Sequence, residues 1–261
     1  VRASHRRFGK QELNDMATSV VPRGYENRVK RAVAHYWTTL GAQARKQGVG
    51  GSDRGNRRAV TGGKQMDGFC ELVRWVVAEN GMPDASIFVR RGLEIPGFFR
   101  PTKKWDLLVV HQSQLVAAVE FKSQAGPSFG NNFNNRTEEA LGNATDLWTA
   151  FREGAFGKHQ IRPWVGWWMF LEDCEGSRSP IGVDEPHFKV FDEFRDTSYA
   201  DRYELLLRKL VLEKLYDAAA LIVSSRDCAQ SGAYKEPAPD LSTKRFLAGL
   251  GGHVQTFLGS M

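Results

Sequence analysis

Cysteine is scarce in this chain. Cys70, Cys174 and Cys228 lie far apart, with no C-x-x-C pair and no nearby pair of histidines, so neither a disulfide framework nor a zinc-finger arrangement is indicated and reduced structural thiols are expected. Histidine is equally thin: His5, His35, His111, His159, His187 and His253 are scattered, without the clustering that a histidine-built metal site needs. No apolar run reaches the roughly 20 residues of a membrane helix, and "VRASHRRFGK" lacks the apolar core of a signal peptide. A soluble, cytoplasmic protein without a membrane partner is expected. "TGGK" at 61–64 lacks the glycine spacing of a phosphate-binding loop, and no internal repeat is visible.

What the chain does have is charge asymmetry. Of 261 residues with a formal charge of +6, residues 1–64 hold fourteen basic and four acidic side chains, leaving 22 basic and 26 acidic for the rest. The basic excess is N-terminal, and it suits either a polyanionic partner or a solvated tail. Within it, "GVGGSDRGNRRAVTGGK" at 48–64 is too rich in glycine to build a core. Its Arg54, Arg57, Arg58 and Lys64 can instead fold over a phosphate backbone, or simply decorate a surface loop.

Periodicity organises the remainder. Helices are expected at 25–47, 66–80, 136–153, 199–216 and 243–258, and strands at 86–91, 105–110, 115–122 and 164–172, with "HQSQ" short enough to close a hairpin. Strands set among helices indicate an α/β fold, a mixed β-sheet core flanked by helices. The expected organisation is a basic N-terminal helix and loop (1–64), a core (65–225) and a C-terminal tail with a short helix (226–261), all within one structural domain.

The hairpin carries the chemistry. In "LVAAVEFKSQ" a buried apolar run ends in Glu120 and Lys122, which share one face of the strand, and antiparallel pairing can bring Asp106 alongside Glu120. Two carboxylates that close repel unless a cation lies between them, and oxygen ligands with room for water suit Mg²⁺. Such an ion can neutralise a phosphodiester and acidify water while the lysine positions that water, a recipe for hydrolysing nucleic acid. The same letters also fit a plain ion pair at a strand end, and the spacing alone does not choose between the two.

"RPTKKWDLLVV", "LVAAVEFKS" and above all "GPSFGNNFNNRTEEA" resemble the XhoI family of type II restriction endonucleases, within the PD-(D/E)xK nuclease superfamily. "MDGF", "EDCE", "PHFKVF" and "RYELLLRKL" extend the likeness over most of 64–210. The resemblance implies a restriction-endonuclease-like fold, with Asp106, Glu120 and the backbone carbonyl of Phe121 as metal ligands and Lys122 orienting the attacking water. Asp67 of "MDGF" stands for an upstream helix acid, and Asp106 departs from the superfamily pattern in following Trp105 where proline is usual. The implied activity is Mg²⁺-dependent cleavage of double-stranded DNA at a short palindrome of the CTCGAG kind, leaving 5′-phosphate ends. The implied partners are a second copy of the chain and a cognate DNA methyltransferase. A repair or recombination nuclease of the same superfamily and a non-catalytic DNA-binding protein are the alternatives.

Arg100 and Lys103 precede the hairpin and are expected to touch DNA. "GPSFGNNFNNR" is expected to leave the sheet as a loop whose Asn131, Asn132, Asn134, Asn135 and Arg136 reach base edges, asparagine suiting adenine and arginine guanine. Helix capping and turn positions compete for the same asparagines.

Overall fold

The structure, a computed structural model, describes residues 19–48 and 64–261. Helix α1 (Tyr25–Gly48) buries Val29, Val33, Tyr36 and Trp37, and α2 (Asp67–Glu79) buries Phe69, Leu72, Val73, Val76 and Val77. These are the stripes that the periodicity predicts. The two helices pack tightly because residue 68 is glycine; a Cβ there would stand 2.9 Å from the Cα of Ala32.

Strands β1 (Ile87–Phe88), β2 (Glu94–Pro96), β3 (Thr102–Lys104), β4 (Leu107–His111) and β5 (Gln114–Gln124) follow. Next come helix α3 (Phe129–Arg152), strand β6 (Trp164–Glu172), the single-turn α4 (Glu175–Arg178), helix α5 (Tyr199–Leu212), strand β7 (Ala218–Ser224) and helix α6 (Thr243–Gly259). The main sheet runs β1-β4-β5-β6-β7, antiparallel as far as β5 and parallel from β5 through β7, while β2 and β3 form a separate hairpin. This is the expected mixed sheet.

Helices cover both faces. Val119, Phe121, Trp168, Phe170, Ala220 and Ile222 pack toward α1, α2 and α6, and Ala118, Trp167, Met169, Leu171 and Leu221 pack toward α3 and α5. Because successive strand residues alternate sides, Glu120 and Lys122 fall on the α3/α5 face.

Four expectations are corrected. The strand placed at 86–91 is only two residues long. The helix expected to run to 216 stops at Leu212, where Lys214 takes a positive φ of 57°, although Leu215 and Tyr216 continue the apolar pattern. Strand β7 was not anticipated, since "AAALIVS" directly after a helix has no period that distinguishes it from more helix. Most importantly, α3 starts at Phe129, so "FGNNFNNR" is helix and not loop. Glycine and asparagine disfavour helix locally, but Phe129 stacks on Tyr199, and Phe133 meets Tyr203 edge-on, with ring centroids 5.8 and 5.1 Å apart. Packing against α5 overrides propensity.

The β4–β5 connection is a two-residue turn, Gln112 and Ser113, at φ 48° and 62°. Left-handed backbone at two successive non-glycine residues is costly, and turns of this hand favour Asn-Gly. Replacing the pair by Gln112→Asn with Ser113→Gly is expected to raise stability by roughly 1 kcal/mol, read as a higher urea midpoint at unchanged slope. A lower midpoint would refute the turn geometry.

Candidate active site

Asp106 occupies the bend just before β4, one step beyond the last β4–β5 pair, Leu107 with Val119. There β4 has ended while β5 continues, so the strand's β4-facing backbone groups need another partner. Asp106 supplies it: its Oδ2 accepts the Phe121 N–H at 2.8 Å. This bond fixes the Asp106 carboxylate against the segment of β5 that carries Glu120 and Lys122. The antiparallel convergence expected of the hairpin is present.

Glu120 is 2% exposed. Its Oε1 accepts from the Lys122 ammonium at 2.5 Å, and its Oε2 from the Lys103 ammonium at 3.1 Å. A buried carboxylate is tolerated only when it is paired and hydrogen-bonded, and Glu120 meets both conditions. Lys103, expected to face a phosphate, is turned inward in this state. Lys122 also lies over the ring of Trp167, 5.9 Å from its centroid.

The electrostatics follow from that geometry. Burial, and then the charge of Glu120, push the Asp106 carboxyl up to about 6 despite the opposing pull of Lys122 and the Phe121 N–H. Burial alone would lower the Lys122 ammonium, but Glu120 and Asp106 outweigh it and raise it above its ordinary value. The lysine is therefore held as a cation, while Asp106 is negatively charged only at a cost.

Glu139, on α3, belongs to this group and was missed by sequence reasoning. Its Oε2 lies 3.7 Å from the Lys122 Nζ and 2.5 Å from Arg136 Nη1. A weak signal existed in the "RTEEA" spacing, which puts Glu139 one helical turn after Arg136. Arg136, expected at a base edge, is only 14% exposed and is engaged with Glu139. Arg100 is likewise committed, its Nε to Asp146 at 2.6 Å and its Nη2 to Asn143 at 2.9 Å, although 42% of its side chain remains exposed.

The other expected site residues are dispersed. Asp67 begins α2, and its charge reaches the Cys70 thiol, which burial first and then Asp106, Asp67 and Glu71 raise well above its usual range. Asp67 and Asp106 thus flank the same thiol, but among the described residues no three His, Cys, Asp or Glu side chains form a ready metal cluster. Asn131, Asn134 and Asn135 are exposed on the first two turns of α3, and Asn132 is half-buried. None of them caps the helix, whose N-cap is Ser128. Lys64 is exposed and its carbonyl accepts from His35 at 3.0 Å. Arg54, Arg57 and Arg58 lie outside the described residues.

Known proteins resemble the chain closely. The family profile described as restriction endonuclease XhoI matches residues 45–236. The type II restriction enzyme BstVI of Geobacillus stearothermophilus is 53% identical over 211 residues, covering 79% of this chain and 94% of that enzyme. The type II restriction enzyme XhoI of Xanthomonas vasicola is 47% identical over 191 residues (72% and 76%), and AbrI of Azospirillum brasilense is 52% identical over 167 residues (63% and 74%). No solved structure matches.

Proposed function

The chain belongs to the XhoI family of restriction endonucleases, and from that premise we propose that its sequence-specific cleavage of DNA is carried out by Asp106, Glu120 and Lys122 with Mg²⁺ as cofactor. The observation that carries this reading is the Asp106–Phe121 hydrogen bond, which holds both carboxylates and the lysine at one strand end. The donors suit a hard cation. They are carboxylate oxygens, and the elevated Asp106 carboxyl marks negative charge that a cation would relieve. A residue's N–H and C=O face the same neighbouring strand, so the Phe121 carbonyl faces the Asp106 side and is the natural third ligand. Asp67 is a more distant candidate from α2.

When bound, Mg²⁺ would neutralise charge on the phosphodiester and acidify a water. The protein's own groups do the rest. Lys122, held charged by Glu120 and then Asp106, orients the attacking water, and Lys103 is free to turn from Glu120 to a phosphate oxygen once a cation takes its place. Attack at phosphorus with departure of the 3′-oxygen leaves a 5′-phosphate and a 3′-hydroxyl. The exposed asparagines of α3, together with the exposed part of Arg100 and the basic residues Arg54, Arg57, Arg58 and Lys64, are assigned to the DNA surface, and Arg136 reaches it only by leaving Glu139. The target is a palindrome of the CTCGAG kind, and a cognate methyltransferase in the same cytoplasm would protect it. No described helix is long and apolar enough to cross a membrane.

Plasmid DNA incubated with the protein and Mg²⁺, followed by sequencing of the ends, tests the reaction directly. Glu120→Gln, which keeps shape and removes charge, is expected to abolish cutting while leaving cognate binding largely intact. Lys122→Ala is expected to slow it by about 10²–10⁴-fold. Full cutting by either variant would remove these residues from the chemistry.

A palindrome presents two identical half-sites, so two copies related by a two-fold axis are the economical arrangement. Sedimentation on a cognate duplex should show two subunits per site; one subunit that nicks a single strand would point to a repair-type nuclease instead. Sequence readout is checked on α3. Alanine at Asn131 or Asn135 should cost about 1–3 kcal/mol on cognate DNA and little on random DNA, and equal losses on both would make the helix a phosphate clamp.

A further inference from the structure

Two phenylalanines stand exposed beside this site. Phe98 and Phe99, in the turn between β2 and β3, are 50% and 69% exposed, with ring centroids 4.9 Å apart in an edge-on arrangement. An accidental surface aromatic would need no support, but this pair is built in. The N–H groups of both residues donate to one oxygen of Asp146, at 2.7 and 2.9 Å, and Arg100 clamps the other oxygen. Asp146 itself is only 3% exposed. The turn admits only glycine at 97, where a Cβ would come within 2.8 Å of Asp146 and 2.7 Å of the Arg100 carbonyl. A buried carboxylate is therefore devoted to holding two apolar rings in water.

Their surroundings say what the rings are for. Between residues 88 and 104 the chain carries Arg90, Arg91, Arg100, Lys103 and Lys104 against the single acid Glu94, a charge complementary to nucleic acid. Among the described residues the other strongly exposed phenylalanines, Phe188 and Phe191, sit among Asp184, Glu185, Asp192 and Glu193, with Lys189, Arg195 and Lys209 paired to those acids, and lack an excess of positive charge. Phe99 also lines a groove of about 630 Å³ whose opposite wall is α3, including Glu139. Glu139 in turn lies 3.7 Å from the Lys122 ammonium. Its lining holds three acids, Glu138, Glu139 and Asp146, against Arg100, which disfavours a phosphate there and leaves the ring to meet the uncharged face of a base.

We propose that Phe98 and Phe99 form a wedge that enters a base step of the bound DNA duplex next to the scissile phosphate. This rests on the nuclease reading above and adds a contact outside the carboxylate–lysine site. Apolar wedges unstack a step and kink the duplex, and the larger contact surface that the bend allows offsets the unstacking. Fixing the turn in advance through Asp146 lowers the ordering cost of insertion. Arg100, beside the rings, is placed to neutralise the phosphate of the opened step.

The experiment uses duplexes bearing the sequence that the wild-type protein cuts, with single 2-aminopurines placed within and beside the site and Ca²⁺ replacing Mg²⁺ to hold the complex. Wild-type protein should brighten one position in each half-site severalfold. Phe98→Ala with Phe99→Ala should remove that signal and weaken binding roughly 5- to 150-fold per stacked ring, whereas Phe98→Tyr with Phe99→Tyr should keep both. The rings are exposed, so the alanine variant should melt at the wild-type temperature. If no probe brightens although plasmid is cut, the wedge is wrong and the nuclease reading stands; if no DNA is cut, both fall. Sedimentation of the alanine variant as a monomer where the wild type is a dimer would assign the rings to a subunit contact and overturn the proposal.

Discussion

Burying Glu120 is the constraint on which the site depends. Taking a carboxylate from water into a sheet costs several kcal/mol, and two ammonium groups of opposite charge return that cost only if their geometry is held. The two partners are therefore fixed from different elements, Lys122 from the same strand and Lys103 from the β2–β3 hairpin, while Asp106, a like charge, is held apart on the Phe121 N–H from the bend before β4. The parallel β5–β6 ladder, flanked by Trp167 and Trp168, gives Glu120 a rigid floor. Losing either ammonium would leave Glu120 buried with one partner fewer, which ties the stability of the sheet to the integrity of the site.

Helix α3 is the second organising part. Arg136, Glu139, Asn143 and Asp146 recur at intervals of three or four residues and so share one face. At 1.5 Å rise per residue that face spans roughly 15 Å. Its near end reaches Lys122 through Glu139, and its far end holds the Phe98–Phe99 turn through Asp146. One continuous helix thereby sets the distance between the group that faces the chemistry and the turn that projects from the surface.

Much of this was legible in the residues. Glu120 and Lys122 at the end of an apolar run announced a paid-for charge, and the closeness of Asp106 followed from a hairpin of short loop. The α1 and α2 stripes were equally plain, because 3.6-residue periodicity over many residues leaves little ambiguity. The resemblance named the family, and the three named relatives agree with it. What was illegible depends on partners distant in sequence. Nothing in "FGNNFNN" reveals that Tyr199 and Tyr203 will hold it helical, nothing in "AAALIVS" separates strand from helix, and Glu139 acquires meaning only when α3 is laid beside β5.

The Asp106–Phe121 bond has a consequence for local motion. Along most of the β4–β5–β6 ladder, amide protons are held by neighbouring backbone and exchange with solvent when the sheet opens as a unit; Leu115 and Val165 donate instead to the side chains of Gln160 and Asp217. The Phe121 amide also has a side-chain partner, and that partner belongs to the site. Its exchange can report a rotation of one carboxylate while the surrounding sheet remains closed. Opening that amide requires the rotation of one side chain, and the side chain is the acid on which cation binding would act.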